Sequence, residues 1–453
     1  MPEIKEAIWE LQGDSLGQLG EGVARYQGVP VFVPGLLPGE RALVAVTEQR
    51  QSFYRGTLHT LLQPSPLRRT PFCPHHDSCG GCQLQHWDYQ AGLAWKIAQT
   101  QHSFLHLAKQ QVEIASVIYS EQLQGVRNKV QLPCVAEASK LQIGFYAPRS
   151  HRLTPISHCS MQSPVANLAL QSLVKILPQL GLTAYNEQTR EGLLRHVMIR
   201  TNREDEQVLI TLVINGNSLP RAELLVASLR EALPQLVGVV LNINTQRSNT
   251  ILSSREQLLW GSAKLRDSIG PYSFNISGSS FWQSNRFLTA TLYETALQLA
   301  SLSGNETVVE AYCGIGTIST YLTERAKEVY AIEYNPVAVA DAQQNAAANG
   351  IHNVSFIPGS SEEQIPLLLQ AGVRPHLVVV DPPRQGLKAS LIQAIAAAQV
   401  PELLYISCNP VTLARDAGLL AGWQYHTTKL YPVDLFPWTE HLEICCLFTY
   451  AGA

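Results

Sequence analysis

A cysteine stands where an apolar run stops. In "LLYISCNPVTLARD", Leu403 to Asp416, a strand-like stretch ends at Ser407, presents Cys408, and turns through Asn409 and Pro410 into a helical segment. Structural cysteines usually have apolar neighbours on both sides, and Cys408 does not. A thiolate at the end of a rigid strand is a soft nucleophile. One strand earlier, "VVVDPPRQGL" brings Asp381 to a carboxyl edge, where Pro382 and Pro383 remove backbone donors and stiffen the loop. Near the C-terminus, "DLFPWTEHLEICC" supplies His441 and Glu443, which share a face if the segment is extended. Glu443 enters the last strand as the apolar run begins, so burial should raise its pKa towards that of a general base.

These three groups suit one reaction in particular. Carbon 5 of uracil is too weak a nucleophile to attack S-adenosylmethionine (SAM) unaided. A thiolate adding to carbon 6 moves electron density onto carbon 5, and a base must later remove the carbon 5 proton so that the thiolate can leave. Enzymes that methylate exocyclic amines often carry an aromatic residue after the two prolines. Here Arg384 follows, which argues against amine transfer.

The elements that must position these groups are read from the apolar runs. After about Pro271 the chain alternates strand and helix, with "ETVVEAYCG", "EVYAIEYN", "VSFIPGS", "HLVVVDPP", "ELLYISCN" and "EICCLFTY" as strands. Their nearly continuous apolar character implies burial on both faces, as in a parallel doubly wound sheet. The first runs into "EAYCGIGT", where Gly314 and Gly316 let the backbone approach a ligand. Glu333, at the end of the next strand, is placed to hold ribose hydroxyls. Ser319 stands where a dinucleotide site would want a third glycine, so SAM fits better than a pyrophosphate cofactor.

Upstream, "GEGVARYQGVPVFVPGLLPGERALVAVTEQ" alternates short β-rich pieces with Gly and Pro turns, as in a small antiparallel barrel. "LLQPSPLRRTP" reads as a linker. The middle section, with "VRNKVQLP", "RHVMIRTN" and "QVLITLVIN", reads as an α+β domain. The expected division is 1–62, 63–270 and 271–453. No internal repeat or low-complexity tract is seen.

"FCPHHDSCGGCQLQH" places Cys73, Cys79 and Cys82 in a C-x5-C-x2-C run, and Cys159 follows far downstream. Four thiolates can bind zinc or a [4Fe–4S] cluster. Zinc more often shows two C-x2-C pairs, so the distant fourth cysteine favours the cluster. Cys134, Cys313, Cys445 and Cys446 are read as packing residues. Nine cysteines in a 453-residue chain argue against a disulfide framework. No apolar run is long enough for a membrane span, and the N-terminal segment lacks the features of a secretion leader. A cytoplasmic monomer is expected. The formal charge of −3 excludes a uniformly basic nucleic-acid coat but not a local basic groove.

The C-terminal third resembles the RNA 5-methyluridine methyltransferase family. "FWQSN" is similar to the family's F-x-Q-x-N, "EAYCGIGT" to its D-x-Y-C-G-x-G with Glu310 in place of Asp, and "DPPRQGL", "SCNPVTLARD" and "DLFPWTEHLE" match its remaining motifs. The resemblance implies a SAM-dependent enzyme with Cys408 as nucleophile, Glu443 as base, and Asp381 at both the catalytic and cofactor sites. It puts Gln283 between cofactor and base, and Tyr312 and Thr317 at cofactor positions. Ser360 or Glu362 serves the adenine end. The ribosomal-RNA branch of that family carries a [4Fe–4S] cluster on similar cysteines, and the N-terminal piece resembles a TRAM domain. Arg127, Asn128, Lys129 and Phe281 are then expected to touch RNA, while Arg195, His196 and Arg200 stay open between RNA contact and an ordinary strand face. Trp282 and Phe436 are further stacking candidates for single-stranded neighbours. The expected substrate is 23S ribosomal RNA. The alternatives are tRNA with the same chemistry, a cytosine carbon 5 enzyme, and a non-catalytic iron–sulfur RNA-binding protein.

Overall fold

The computed structural model describes residues 7–137, 140–247 and 250–452, so the start of the segment read for a leader lies outside them. Contacts divide the chain into two units, one of residues 1–99, 146–154 and 436–441, the other of 100–145, 155–435 and 442–453.

The first unit holds a closed barrel of the strands Ile8–Leu16, Gly22–Tyr26, Val29–Val33, Arg41–Gln49 and Tyr54–Gln63. Alternation fills its interior with Leu11, Ala24, Val31, Val33, Ala42 and Val44. Close approach explains two glycines. A Cβ on Gly22 would come 2.3 Å from the carbonyl oxygen of Leu36, and one on Gly13 would come 2.4 Å from that of Leu37. The Pro-rich segment read as a linker is docked rather than loose. The Arg68 guanidinium reaches the buried Glu40 carboxylate at 2.6 Å through both Nε and Nη2, and also donates to the Gly35 carbonyl. Glu40 further accepts from the Leu37 and Ser65 N–H groups. Burial opposes ionisation, but Arg68 and these donors hold the carboxyl below its ordinary range.

The second unit carries two large sheets. In one, the strands Glu256–Gly261, Leu236–Ile243, Val208–Ile214, Leu194–Thr201, Lys129–Glu137 and Lys140–Tyr146 lie in that order. The helices Pro164–Gln179 and Ala222–Ala232 bury their apolar faces against it. The other sheet runs in the order Val354–Pro358, Glu328–Glu333, Thr307–Ala311, Leu377–Val380, Glu402–Ser407, Glu443–Tyr450 and Lys429–Val433. The first five are parallel, with the order reversing between Thr307–Ala311 and Leu377–Val380, the switch point where ligands of open α/β sheets bind. Leu377, Val378, Val379 and Val380 have no exposed surface, as a strand covered on both faces requires. Glu113–Ile114, far upstream, pairs with Lys429–Val433 and adds the outer strand, which sequence reading missed because a two-residue strand has no period to detect. Among the described residues no helix is long and apolar enough to cross a membrane.

Because Glu40 is buried and holds the partly exposed Arg68 through two hydrogen bonds as well as the Leu37 and Ser65 N–H groups, Glu40→Ala should destabilise the barrel by about 1.5–3 kcal/mol. Urea denaturation followed by Trp fluorescence checks this, and a loss below about 1 kcal/mol contradicts it.

Candidate active site

Three strand ends build the site. Leu377–Val380 delivers Asp381, Glu402–Ser407 delivers Cys408, and the two strands pair in parallel with Val380 opposite Tyr405. Glu443–Tyr450 runs antiparallel to Glu402–Ser407, with Ile444 opposite Ser407. Its first residue, Glu443, therefore lies at the edge where the parallel strands finish. Asn409 caps the helix Pro410–Ala421 by accepting from the Val411 N–H at 3.1 Å, so the chain turns away directly after Cys408.

The electrostatics follow from crowding. Burial, then Asp381 beside it, pushes Glu443 well above the ordinary carboxylate range. Its Oε1 is buried with no hydrogen-bond partner among the described residues. Burial lifts Asp381 to about 7. Charge on Asp381 opposes charge on Glu443, so the pair favours keeping a proton. Burial, then Glu443 and Asp381, pushes the Cys408 thiol up to about 11, opposed by Arg384. The resting residue is thus a thiol, and the expectation of a ready thiolate needs that amendment. Gln283 Nε2 donates to Asp381 Oδ2 at 3.5 Å, which brings the "FWQSN" segment to the same point.

Beside this centre lies a cavity of about 880 Å³ bordered by Tyr312, Glu333, Ser360, Glu362, Arg384 and Arg415. Tyr312 has a positive φ of 62° and its hydroxyl donates to Glu362 at 3.2 Å. The Gly314 N–H donates to Glu333 at 3.1 Å, and a Cβ on Gly316 would come 2.9 Å from the Phe356 ring. Thr317 exchanges a 3.0 Å hydrogen bond with the Tyr293 hydroxyl. Of the residues expected to hold a cofactor, Tyr312, Glu333 and Ser360 border the cavity, and Gln283 and Asp381 meet at the catalytic point. Both adenine-end candidates, Ser360 and Glu362, border it. Sequence reading missed Lys388, Thr412 and Arg415 on the cavity wall. Thr412 and Arg415 were signalled only by their membership of "SCNPVTLARD", and Lys388 only by following "DPPRQGL" directly.

Glu310 turns inward. It is 1% exposed, hydrogen-bonded to Ser319, and raised to about 8 by burial and then by Asp381 and Glu333, with the Ser319 bond opposing.

The residues expected at RNA divide. Phe281 is 67% exposed. Asn128 is buried and donates to the Gln283 carbonyl at 3.0 Å. Burial, then Arg200, lowers Lys129 to about 8. Arg127 pairs through its backbone with Gln162 and Asn285. Arg195 donates inward to the Asn244 and Gln246 carbonyls, and Arg200 is 1% exposed, so neither lies on an ordinary solvated strand face. Cys134, Cys313, Cys445 and Cys446 are buried, as read from their apolar settings, and Cys73, Cys79, Cys82 and Cys159 are partly exposed. Among the described residues no group of three or more His, Cys, Asp or Glu stands where a metal ion could be held. The placement of the cysteines therefore lends the iron–sulfur expectation no support.

The sheet order and the cleft at its switch point define the α/β fold of SAM-dependent methyltransferases. The family model for tRNA (uracil-5-)-methyltransferase matches residues 243–450, and that for the TRAM domain matches 13–58. An uncharacterized RNA methyltransferase of Clostridium tetani is 39% identical over 452 residues, covering 100% of this chain and 98% of that one. Another, from Halalkalibacterium halodurans, is 37% identical over 443 residues, covering 98% and 97%. A solved structure of a Pyrococcus abyssi tRNA (uracil-54, C5)-methyltransferase with S-adenosyl-L-homocysteine shares the fold, with a TM-score of 0.78, 24% identity, and coverage of 97% and 99%. The chain belongs to the RNA (uracil-5-)-methyltransferase family.

Glu310 makes a sign-specific prediction. Its folded pKa lies above the ordinary 4.5, so the wild type loses stability as pH rises from 4.5 through about 8. Glu310→Gln should therefore gain melting temperature relative to wild type as pH rises across that window, by the equivalent of a few kcal/mol, as read by differential scanning fluorimetry. A constant difference contradicts the assignment.

Proposed function

We propose that this protein is a cytoplasmic enzyme that methylates carbon 5 of a uridine in 23S ribosomal RNA, with SAM as donor and through a transient bond from Cys408 to carbon 6. The observation that carries the reading is the convergence of one thiol with two carboxyls, the half-buried Asp381 and the buried Glu443, the latter with an oxygen that has no hydrogen-bond partner among the described residues. A buried acceptor without a partner costs about 1–3 kcal/mol, and a proton taken from a bound base would offset that cost.

The residues act in order. Asp381 and Gln283 orient the base. The ionised member of the Asp381–Glu443 pair takes the Cys408 proton and passes it on to solvent, the sulfur adds to carbon 6, the double bond to carbon 5 opens, and its electron pair rests on carbon 5. SAM supplies a methyl group on a cationic sulfonium and leaves as S-adenosylhomocysteine. Glu443, as carboxylate, takes the proton from carbon 5. The double bond reforms, the carbon–sulfur bond breaks, and Cys408 is free again. Tyr312, Gly314, Gly316, Thr317, Glu333 and Ser360 are the cofactor residues in this reading. Glu333 is placed for the ribose hydroxyls and Ser360 and Glu362 for the adenine end. Phe281, exposed on the loop that bears Gln283, stacks on a base beside the target. Arg127 and Lys129 lie next to that loop and belong to the RNA-facing set, while Asn128 positions Gln283. The matched TRAM domain supports an RNA substrate.

The names of the family model and of the Pyrococcus abyssi neighbour favour tRNA as a second reading. With RNA from a strain lacking this gene, wild type should form 5-methyluridine, and Cys408→Ala should lose it by about 10⁴-fold or more. Glu443→Gln should trap a protein–RNA adduct that survives denaturation. Mapping the modified nucleotide separates ribosomal from transfer RNA. Methyl transfer undiminished in Cys408→Ala overturns the mechanism.

The iron–sulfur reading rests on the order of Cys73, Cys79, Cys82 and Cys159 in the chain and on the family resemblance, and no step above passes through a cluster. Protein purified without oxygen should show a broad visible absorption near the blue end, and loss of that band in Cys79→Ser should accompany loss of iron. A colourless, iron-free protein contradicts the reading.

A further inference from the structure

The loop that carries Phe281 and Gln283 is held from below by a buried cation. Arg200, on the strand Leu194–Thr201, is 1% exposed, and its Nη2 donates to the carbonyls of Gly278 at 3.3 Å and Ser280 at 2.6 Å. The loop packs tightly there, since a Cβ on Gly278 would come 2.6 Å from Thr211 Oγ1. A second anchor lies two residues on. Trp282 Nε1 donates to Asp267 Oδ2 at 3.1 Å, and the other oxygen of Asp267 accepts from the Arg203 and Ser268 N–H groups at 2.9 Å. Asp267 also opposes the fall that burial imposes on the Arg200 guanidinium. Gln283, next in the chain, reaches Asp381.

Stability does not explain this cation. Arg200 Nε and Nη1 are buried with no hydrogen-bond partner among the described residues, and buried ions can often be replaced by apolar groups at no loss of stability. What a guanidinium supplies, and an apolar side chain cannot, is a fixed donor to two carbonyls of one loop, those of Gly278 and Ser280. We propose that Arg200 and Asp267 are positioning residues that clamp the 278–283 loop from the central sheet and so set the geometry of Gln283 at the target base. The inference rests on the methyltransferase reading above, and the clamp itself is a property of the loop that can be read without substrate.

The test uses full-length protein with Arg200→Met, Arg200→Lys and Trp282→Phe. In Arg200→Met, amide hydrogen exchange across 278–285 should accelerate about tenfold or more while the melting temperature falls by no more than about 4 °C. On RNA from the gene-deletion strain, kcat should fall about 10²-fold, as a misplacement near 1 Å would cause. Affinity for SAM by calorimetry, set largely by the separate cavity, should change by less than about threefold, which gives the split expected of positioning. Arg200→Lys should recover part of kcat, and Trp282→Phe should lose several-fold. Unchanged exchange together with kcat within about threefold of wild type in Arg200→Met overturns the clamp. So does a loss of stability, SAM affinity and activity together in Arg200→Met with Trp282→Phe wild-type throughout. If wild type itself makes no 5-methyluridine, the functional reading fails, and the exchange measurement still decides the clamp.

Discussion

Two carboxyls and a thiol meet at the edge of the sheet, where burial raises the proton affinity of all three, Asp381 raises that of Glu443 further, and both carboxyls raise that of Cys408. Burial and mutual repulsion favour the protonated carboxyls there, and any charge on them opposes ionisation of Cys408. A fold that wanted only stability would place none of them there. The surrounding strands bear the cost with side chains buried on both faces, each full burial contributing about 1.5–3 kcal/mol. The same low polarity that suppresses the thiolate makes any charge developed on the substrate strongly felt by its neighbours. Helix capping by Asn409 and the stiff Asp381–Pro382–Pro383 turn keep the groups from relaxing into solvent.

Much of this was legible in the chain. The parallel strands show as apolar runs because both their faces are covered, and the polar residues that interrupt them at one end are the site. Glu333, Asp381 and Cys408 stand out for that reason. What the chain conceals is set by pairing between distant segments. The two residues Glu113–Ile114 have no pattern of their own and gain a strand only by meeting Lys429–Val433. Arg200 reads as a cation on a strand, and nothing local tells whether it faces water or the underside of a loop nearly eighty positions later, as its bond to Gly278 shows. Asn128 was read as an RNA contact from its neighbours Arg127 and Lys129, yet alternation turns its side chain inward to the Gln283 carbonyl. Glu40 and Arg68 likewise find each other only when the barrel closes.

The last strand shows how register becomes chemistry. Glu443, Ile444, Cys445 and Cys446 are all buried, so the apolar pattern does not choose which residue stands opposite Ser407. In a sheet covered on both sides, a slip of one residue would still bury apolar groups. The polar ends decide instead. At the far end Glu402 pairs with Thr449, and Gln399 Nε2 donates to the Tyr450 hydroxyl at 2.9 Å. At the near end, Glu443 is also opposite Val433 of the neighbouring strand. Side chains alternate faces, so a slip of one residue would turn the Glu443 carboxyl to the other face of the sheet and put an isoleucine or leucine beside the thiol. The antiparallel direction matters equally. A parallel strand would present its carboxyl-terminal residues, not Glu443, at the edge where Asp381 and Cys408 end, and no base would reach the carbon that the thiol activates.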